Sequence, residues 1–116
     1  RAQLRDKLTA ILDMPEGVLQ ERMMVGSAFS TAQYLKQIIL DKKKESRVFV
    51  IGSEGLCQEL RQTGFEVMDE NDCDQSSMSR AELANHDFSK YHDGIDAVVV
   101  GHDTDLNYRK LSIAYV

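Results

Sequence analysis

Two carboxylates near the end of the chain have the type and spacing that phosphoryl-transfer chemistry uses. Asp103 and Asp105 are two residues apart and follow the apolar run at residues 97–100. In such a pair one carboxylate can attack phosphorus and form an aspartyl-phosphate, the other can protonate the leaving oxygen, and magnesium offsets the crowded negative charge. Gly101 and His102 separate the apolar run from the first aspartate, however, so the pair alone does not assign a catalytic site.

A glycine turn at residues 52–55 lies where a phosphate-binding loop would lie, after a predicted strand and before a predicted helix. It lacks the dinucleotide fingerprint and the Walker lysine, and the Glu54 carboxylate would repel phosphate. A tight strand-to-helix turn is favoured, with contact to an anionic ligand as the alternative. Cys57 follows in the first turn of that helix, where a lowered thiol pKa would make it reactive. Leu56 and Leu60 on the same stripe favour a buried structural cysteine instead.

Acidic and histidine side chains elsewhere do not have the spacing of a metal site. A calcium loop that started at Asp72 would place Ser77 where glycine is needed and Leu83 where a glutamate is needed. His86 and His92 share no helical register and would need a third donor. We therefore interpret the acidic run as a mobile loop, formed by Glu66, Asp69, Glu70, Asp72 and Asp74.

Composition and charge exclude some classes of function. The 116 residues are 42% apolar and 28% charged, which is ordinary for one soluble domain. A net charge of −5 disfavours broad binding to nucleic acid, and the basic cluster at residues 42–44 with Arg47 is interpreted as a solvated connection rather than a partner contact. No membrane span or secretory signal is visible, so a cytoplasmic location is expected. Because the chain begins at Arg1, targeting signals upstream stay an open alternative.

Two amphipathic helices are predicted at the start of the chain. The first ends at Pro15 and Gly17. The second begins near Ser27 or Ser30, whose hydroxyls can cap free amides. Their apolar stripes consist of Leu4, Leu8, Ile11 and Leu12 in the first helix, and of Ala28, Ala32, Leu35 and Ile39 in the second.

The remaining periodicity predicts α/β units. The continuous apolar run at residues 48–51 is typical of a parallel strand that is covered on both faces. A helix over 55–62 that Gly64 ends and a short strand at 65–68 complete a βαβ unit. Beyond a polar stretch at 69–94, with a short helix near 80–84, we predict a strand at 97–100 and a helix over 106–116. That last helix has its apolar pattern at Tyr108, Leu111 and Tyr115. The fold class is therefore α/β, a three-layer sheet of mostly parallel strands with flanking helices.

Four segments occur in order along the chain, namely RAQLRDKLTAILDMP, SAFSTAQYLK, RVFVIGSEGLCQELRQTGFEV and DAVVVGHDTDLNYRKLSIAYV. The first resembles a helix of the haloacid dehalogenase-like phosphatases, in the branch of the 4-nitrophenyl and phosphoglycolate phosphatases. The next two resemble that family's S-S-A-x-A-T-A-x-Y-L-K and V-Y-V-I-G-x-x-G-L-x-x-E-L-x-x-x-G-F segments. The last resembles V-V-x-G-x-D-x-x-x-x-Y-x-K-L, which Asp103, Tyr108 and Lys110 match, whereas His102 departs from the usual aromatic residue and Asp105 falls at a variable position.

This alignment argues against a catalytic role for the aspartate pair. The family's D-x-D motif continues with glycine and then threonine or valine, where this chain has Leu106 and Asn107. The segment matches a different part of the same family. We therefore assign no catalytic residue.

The resemblance implies a magnesium-dependent phosphatase with a Rossmann-like core and an inserted α/β cap over the active site. Residues 1–26 are then a core-derived helix and linker, and residues 27–116 are part of the cap. The chain is expected to be an interior fragment whose catalytic motifs lie outside it, with Mg²⁺ in the parent enzyme and none bound by this stretch. Asp103, Asn107 and Tyr108 are the candidate substrate-binding residues because they lie past a strand's carboxyl end, with packing or helix capping as the alternative.

The partners expected are a small phosphorylated substrate in the parent, the remainder of the same fold and a second copy in a possible homo-oligomer, with no nucleic acid and no membrane. The alternative is a complete, non-enzymatic α/β protein-interaction domain. A fragment should expose the apolar faces of its first two helices and aggregate or dimerise, whereas a complete domain should be monomeric and melt cooperatively.

Overall fold

A computed structural model of the chain describes residues 1–42, 45–73 and 79–116. Two opening helices precede alternating strands and helices. The strands are β1 (Arg47–Ile51), β2 (Glu66–Met68) and β3 (Ala97–Val100); the helices are α1 (Ala2–Ile11), α2 (Ser27–Leu35), α3 (Glu54–Thr63), α4 (Arg80–Asn85) and α5 (Tyr108–Tyr115). A π-helical turn, Lys36–Leu40, extends α2, and short 3₁₀ turns lie at Glu21–Met23, Glu70–Asp72 and Ser89–Tyr91. In the described part of the chain no helix has the length and apolar character needed to cross a bilayer.

The three strands form a parallel sheet in the order β2-β1-β3, with β1 at its centre. Side chains of a strand alternate between the two faces of the sheet. Val48 and Val50 accordingly join a core cluster with α2 and α3, while Phe49 and Ile51 join a second cluster that includes Ile113 of α5. The expected parallel strand covered on both faces and the three-layer α/β class are thereby confirmed.

The layer formed by α2 and α3 largely follows the sequence prediction. Ala32 and Leu35 of α2 are buried, as are Leu56, Cys57 and Leu60 of α3. Helix α3 ends at a glycine in a left-handed conformation, with φ of 110° at residue 64, as glycine C-caps commonly do.

The predicted serine cap of α2 is wrong. The N-cap is Gly26, no side chain caps the helix, and the Ser30 amide donates to the Gly26 carbonyl. Ser27 is already the first helical residue, so its hydroxyl is one position too late to cap the free amides.

The layer formed by α5 corrects a prediction. The expected apolar stripe, Tyr108, Leu111 and Tyr115, is 68%, 49% and 91% exposed, respectively. The helix instead buries Ile113, which packs near β1, and Lys110. A lysine can occupy the inner face because carboxylates of two neighbouring segments satisfy its charge there.

The described residues of the polar stretch after β2 include a capped turn and a short helix, and the mobility predicted for the acidic loop stays a prediction. Asp69 caps the turn Glu70–Asp72 through a reciprocal capping box with Asp72, because the short carboxylates reach free amides nearby. The predicted short helix is confirmed as α4, which Ser79 caps.

Part of two predictions lies outside the described residues. These are Asp74 of the acidic run and residues 43 and 44 of the basic cluster. Within the described part of the basic cluster, Arg47 pairs with Glu66 on the neighbouring strand at 2.8 Å.

Helix α1 packs differently from the other elements. None of its residues is buried, and Ile11 and the adjoining Leu12 are 66% and 57% exposed. The helix ends before Pro15, and the Cα radius of gyration is 17.2 Å, whereas a compact domain of this length has about 13 Å. The predicted exposure of the apolar face is confirmed for α1. For α2 this prediction is wrong, because its apolar stripe packs on the sheet.

Candidate functional site

All three strands end at the same edge of the sheet because they are parallel, and their connecting turns meet there. The turns after β1 and β3 run side by side: a Cβ on Gly52 would lie 3.5 Å from the Gly101 Cα, and one on Gly101 would lie 2.8 Å from Leu56 Cδ2. The edge therefore offers bare backbone at both turns. A cavity of about 60 Å³, room for a few water molecules, lies beneath it. It is lined by Val50, Gly52, Asp69, Glu70, Asn71, Asp103 and Lys110.

A buried ammonium group organises this edge. The Lys110 side chain is only 6% exposed, and its Nζ lies 2.8 Å from Asp103 Oδ2, 3.1 Å from Glu70 Oε1 and 2.9 Å from the Asp105 carbonyl oxygen. Three donors thus meet three acceptors. Burial acts to lower the pKa of Lys110, but the hydrogen bonds to Asp103 and Glu70 outweigh it and the pKa is raised. The lysine is therefore a charged anchor.

Asp103 is committed to this cluster by both of its oxygens. Oδ2 accepts from Lys110, and Oδ1 accepts from the Asp105 amide at 2.8 Å. The hydrogen bond from Lys110, followed by that amide, lowers the pKa of Asp103. The Asp105 carboxylate, by contrast, is 88% exposed. The two aspartates therefore have different environments, and one of them stabilises the loop.

Asn107 is the N-cap of α5. Its Oδ1 accepts from the Lys110 amide at 3.0 Å, and its Nδ2 donates to the Asp105 carbonyl at 3.2 Å. Because Asn side chains satisfy free amides in this way at helix starts, the capping alternative describes its contacts. Any contact of Asn107 with a substrate stays a prediction.

Tyr108 lies apart from the other two candidates. It is exposed on the outer side of α5 and borders a groove of about 440 Å³ together with Leu83, Phe88 and Leu111. The structure thus brings Asp103 and Asn107 together around Lys110 and places Tyr108 beside an apolar groove. Whether any of the three contacts a substrate stays a prediction.

Sequence reasoning did not assign the two residues that complete the cluster. Lys110 stood only as a matched position in the resemblance, and a lysine on a helix is normally interpreted as solvated. The seven-residue spacing between Asp103 and Lys110 could have indicated this ion pair, because it places a loop carboxylate within reach of a lysine in the first turn of the following helix. Glu70 belongs to another segment, and no local pattern links it to Lys110.

The other predicted features take structural roles. The tight strand-to-helix turn is formed by Gly52 and Ser53 alone. Glu54 is already the first residue of α3, and it pairs with Arg61 at 3.1 Å. Cys57 is buried in the core, which confirms the buried structural cysteine, and this burial raises the pKa of its thiol. The His86 ring packs edge-on against Phe88 with centroids 4.8 Å apart. Within residues 1–42, 45–73 and 79–116, no three His, Cys, Asp or Glu side chains are grouped so as to hold a metal ion.

Comparison with known proteins gives matches along most of the chain. Residues 1–66 match the model of a family described as haloacid dehalogenase-like hydrolase. Two chloroplastic proteins of Arabidopsis thaliana, phosphoglycolate phosphatases 1A and 1B, are each 37% identical over 95 residues, which cover 80% of this chain and 24% of each relative. Phosphoglycolate phosphatase 2 of the same plant is 33% identical over 85 residues, 73% of this chain and 27% of the relative. The chain thus spans about a quarter of the length of these relatives.

Proposed function

Because the chain belongs to the haloacid dehalogenase-like hydrolases, we propose that it is part of a phosphatase that cleaves phosphate monoesters and that it contributes substrate selection through a cap. The alignment with three phosphatases over 73–80% of the chain carries this proposal. Catalytic motifs are supplied outside this stretch, which is inactive alone. Support comes from Asp103, whose two oxygens are held by Lys110 and a backbone amide rather than directed to a substrate.

The proposed division places residues 1–26 with the catalytic core and residues 27–116 in the cap. Helix α1 supports this because it buries none of its residues, whereas α2 and α3 pack on the sheet. The exposed apolar side chains Ile11 and Leu12 are then contacts for the remainder of the same fold.

Magnesium is proposed for the parent enzyme and not for this stretch. Mg²⁺ prefers carboxylate and water oxygens in octahedral geometry. The buried cluster does not fit that ion, because the Lys110 ammonium already occupies Asp103 and Glu70 and would repel a second cation.

A cap acts by closing over the leaving-group side of the phosphate and by excluding water. Tyr108 is the strongest of the three proposed substrate contacts, since its side chain is exposed beside the groove of the outer α5 face. Asp103 and Asn107 act, on this proposal, through the loop that they shape. A cytoplasmic location is proposed, with the chloroplast, named for two relatives, as the alternative.

The test is hydrolysis of 4-nitrophenyl phosphate with Mg²⁺. Three samples are compared: this chain alone, its Asp103→Asn variant, and a chimera in which this chain replaces the corresponding segment of phosphoglycolate phosphatase 1A. We expect turnover only in the chimera, with the unmodified relative as the positive control. Turnover by this chain alone that Asp103→Asn abolishes would make Asp103 a nucleophile and overturn the cap assignment.

A folded but inactive chimera would count against the phosphatase proposal and favour the interaction domain. Sedimentation and thermal melting of the chain alone then distinguish the two. A monomer with one cooperative transition supports a complete domain, whereas self-association through exposed apolar faces supports a stretch of a larger fold.

A further inference from the structure

The Lys110 ammonium joins two loops that leave different strands. Glu70 lies in the turn after β2, and Asp103 and Asp105 lie in the loop after β3, so a single side chain bridges both sides of the central strand. The contacts of 2.8 to 3.1 Å are charge-assisted hydrogen bonds, which are stronger than neutral ones. Lys110 is 6% exposed, so it cannot itself present a charge to a ligand on the surface.

The conformation of the loop after β3 depends on this ammonium. The Asp105 carbonyl accepts from Lys110 Nζ at 2.9 Å and from Asn107 Nδ2 at 3.2 Å, while the Asp105 amide donates to Asp103. Both backbone groups of Asp105 are therefore held by side chains, and two of the three bonds involve Lys110 or its ion-pair partner.

The loop held in this way carries exposed side chains at the sheet edge. His102 and Thr104 are exposed, the Asp105 carboxylate is 88% exposed and Leu106 is 53% exposed. In the middle of this loop, side chains of the buried cluster hold both backbone groups of Asp105, as a rigid scaffold holds a loop that it presents for binding.

We infer that Lys110 is a positioning residue: it holds the turn after β2 and the loop after β3 in one arrangement, and thereby sets the surface that this edge presents to the substrate. This inference rests on the proposed function. Lys110 does not touch the substrate and acts through residues 102–106.

Neutralising Lys110 should separate the two loops without dissolving the core. Lys110→Met keeps the length and most of the volume of the side chain but leaves Glu70 and Asp103 as neighbouring carboxylates with no cation between them. Like charges and an uncompensated buried charge then favour opening of the loops. The sheet clusters around β1 are formed by apolar contacts that do not involve the ammonium.

The first readout is amide hydrogen exchange measured by NMR on this chain. In Lys110→Met, exchange at the amides of Asp105 and Asn71, one in each loop, should accelerate by roughly 100-fold. The amide of Phe65, which donates to the Leu60 carbonyl in the α3 cap, should not change. Lys110→Arg, which keeps the charge, should restore much of the slow exchange, and Lys7→Met on the surface of α1 is the matched control.

The second readout is kinetic and uses the chimera. Lys110→Met should raise KM for the phosphate ester by about tenfold and leave kcat within about threefold, because a selecting surface contributes to binding rather than to the chemical step. Lys7→Met should alter neither constant.

The inference is overturned by unchanged exchange at both loops in a folded Lys110→Met variant, or by equal acceleration at Phe65, which would mean general destabilisation. Loss of kcat alone, with KM unchanged, would also overturn it. Should Lys110→Met not fold, Asp103→Asn decides, since it removes one charge and should accelerate exchange at Asp105 first. If the chimera with Lys110 intact is inactive, the proposed function fails, and the exchange data still decide whether Lys110 holds the loops.

Discussion

Truncation of Leu60 should destabilise the chain far more than truncation of Leu12. Leu60 of α3 is fully buried in the core cluster that α3 forms with α2 and β1. Leu60→Ala therefore removes apolar contacts and leaves a cavity. Such changes cost about 3–5 kcal/mol. For 116 residues the total unfolding free energy is expected to be about 6–17 kcal/mol, so the variant should still fold, with Tm lowered by about 10–20 °C.

Leu12 provides the matched control because it is the same residue type and is 57% exposed beside α1. Leu12→Ala should cost only about 0.5 kcal/mol. Urea denaturation followed by circular dichroism measures both changes, with the m-value as a check on two-state behaviour. Equal losses for the two variants would refute the reasoning, since they would show that the first helix belongs to the same cooperative core and that the division at residue 26 is wrong.

Three further outcomes are expected. Gly64→Ala should destabilise by about 1–2 kcal/mol in the same urea assay because φ of 110° strains any residue with a Cβ. Gly55→Ala should instead stabilise by up to about 1 kcal/mol, because Gly55 lies in α3 and its added Cβ would meet only Ser53 Oγ at an ordinary contact distance of 3.9 Å. The folded-state pKa of Asp103 lies below its unfolded value. Its contribution to stability is therefore present above about pH 4 and is lost as pH falls through the folded pKa. When the free energy of unfolding is measured against pH, the loss of stability at acidic pH should be less steep in Asp103→Asn than in the wild type. Tyr108→Phe in the chimera should raise KM several-fold if the phenol hydroxyl contacts the leaving group, and unchanged kinetics would remove Tyr108 from the substrate contacts.

The central part of the fold could be predicted because its signals are local. The four consecutive apolar residues at 48–51, which Gly52 ends, favour a strand covered on both faces. Gly64 ends a helix because glycine adopts the left-handed conformation without strain. The stripe of α2 follows from spacing alone. These features depend on few residues, all within one element.

The site could not be predicted in the same way because it depends on partners far apart in the chain. Apolar spacing placed Tyr108, Leu111 and Tyr115 inside, yet α5 turns a charged residue inward instead. Glu70 favours that orientation because its carboxylate pairs with Lys110. The two residues are far apart in the chain and come together only when β2 and β3 lie on either side of β1. The sequence showed a carboxylate at Asp103, but it did not show that the ammonium group of Lys110 pairs with that carboxylate.

The strand order β2-β1-β3 also has a consequence for the order of folding. β1, α3 and β2 are consecutive, whereas β3 joins β1 through contacts such as that between Arg47 and Asp96, 49 residues apart. Closing a long loop costs entropy before any contact compensates, so β3 and α5 should dock last and detach first. The edge at which the turns after β1, β2 and β3 meet is completed only by that docking, so we expect it to be the least persistent part of the sheet. A mildly destabilising change in β3 should disrupt this edge while the βαβ unit stays folded.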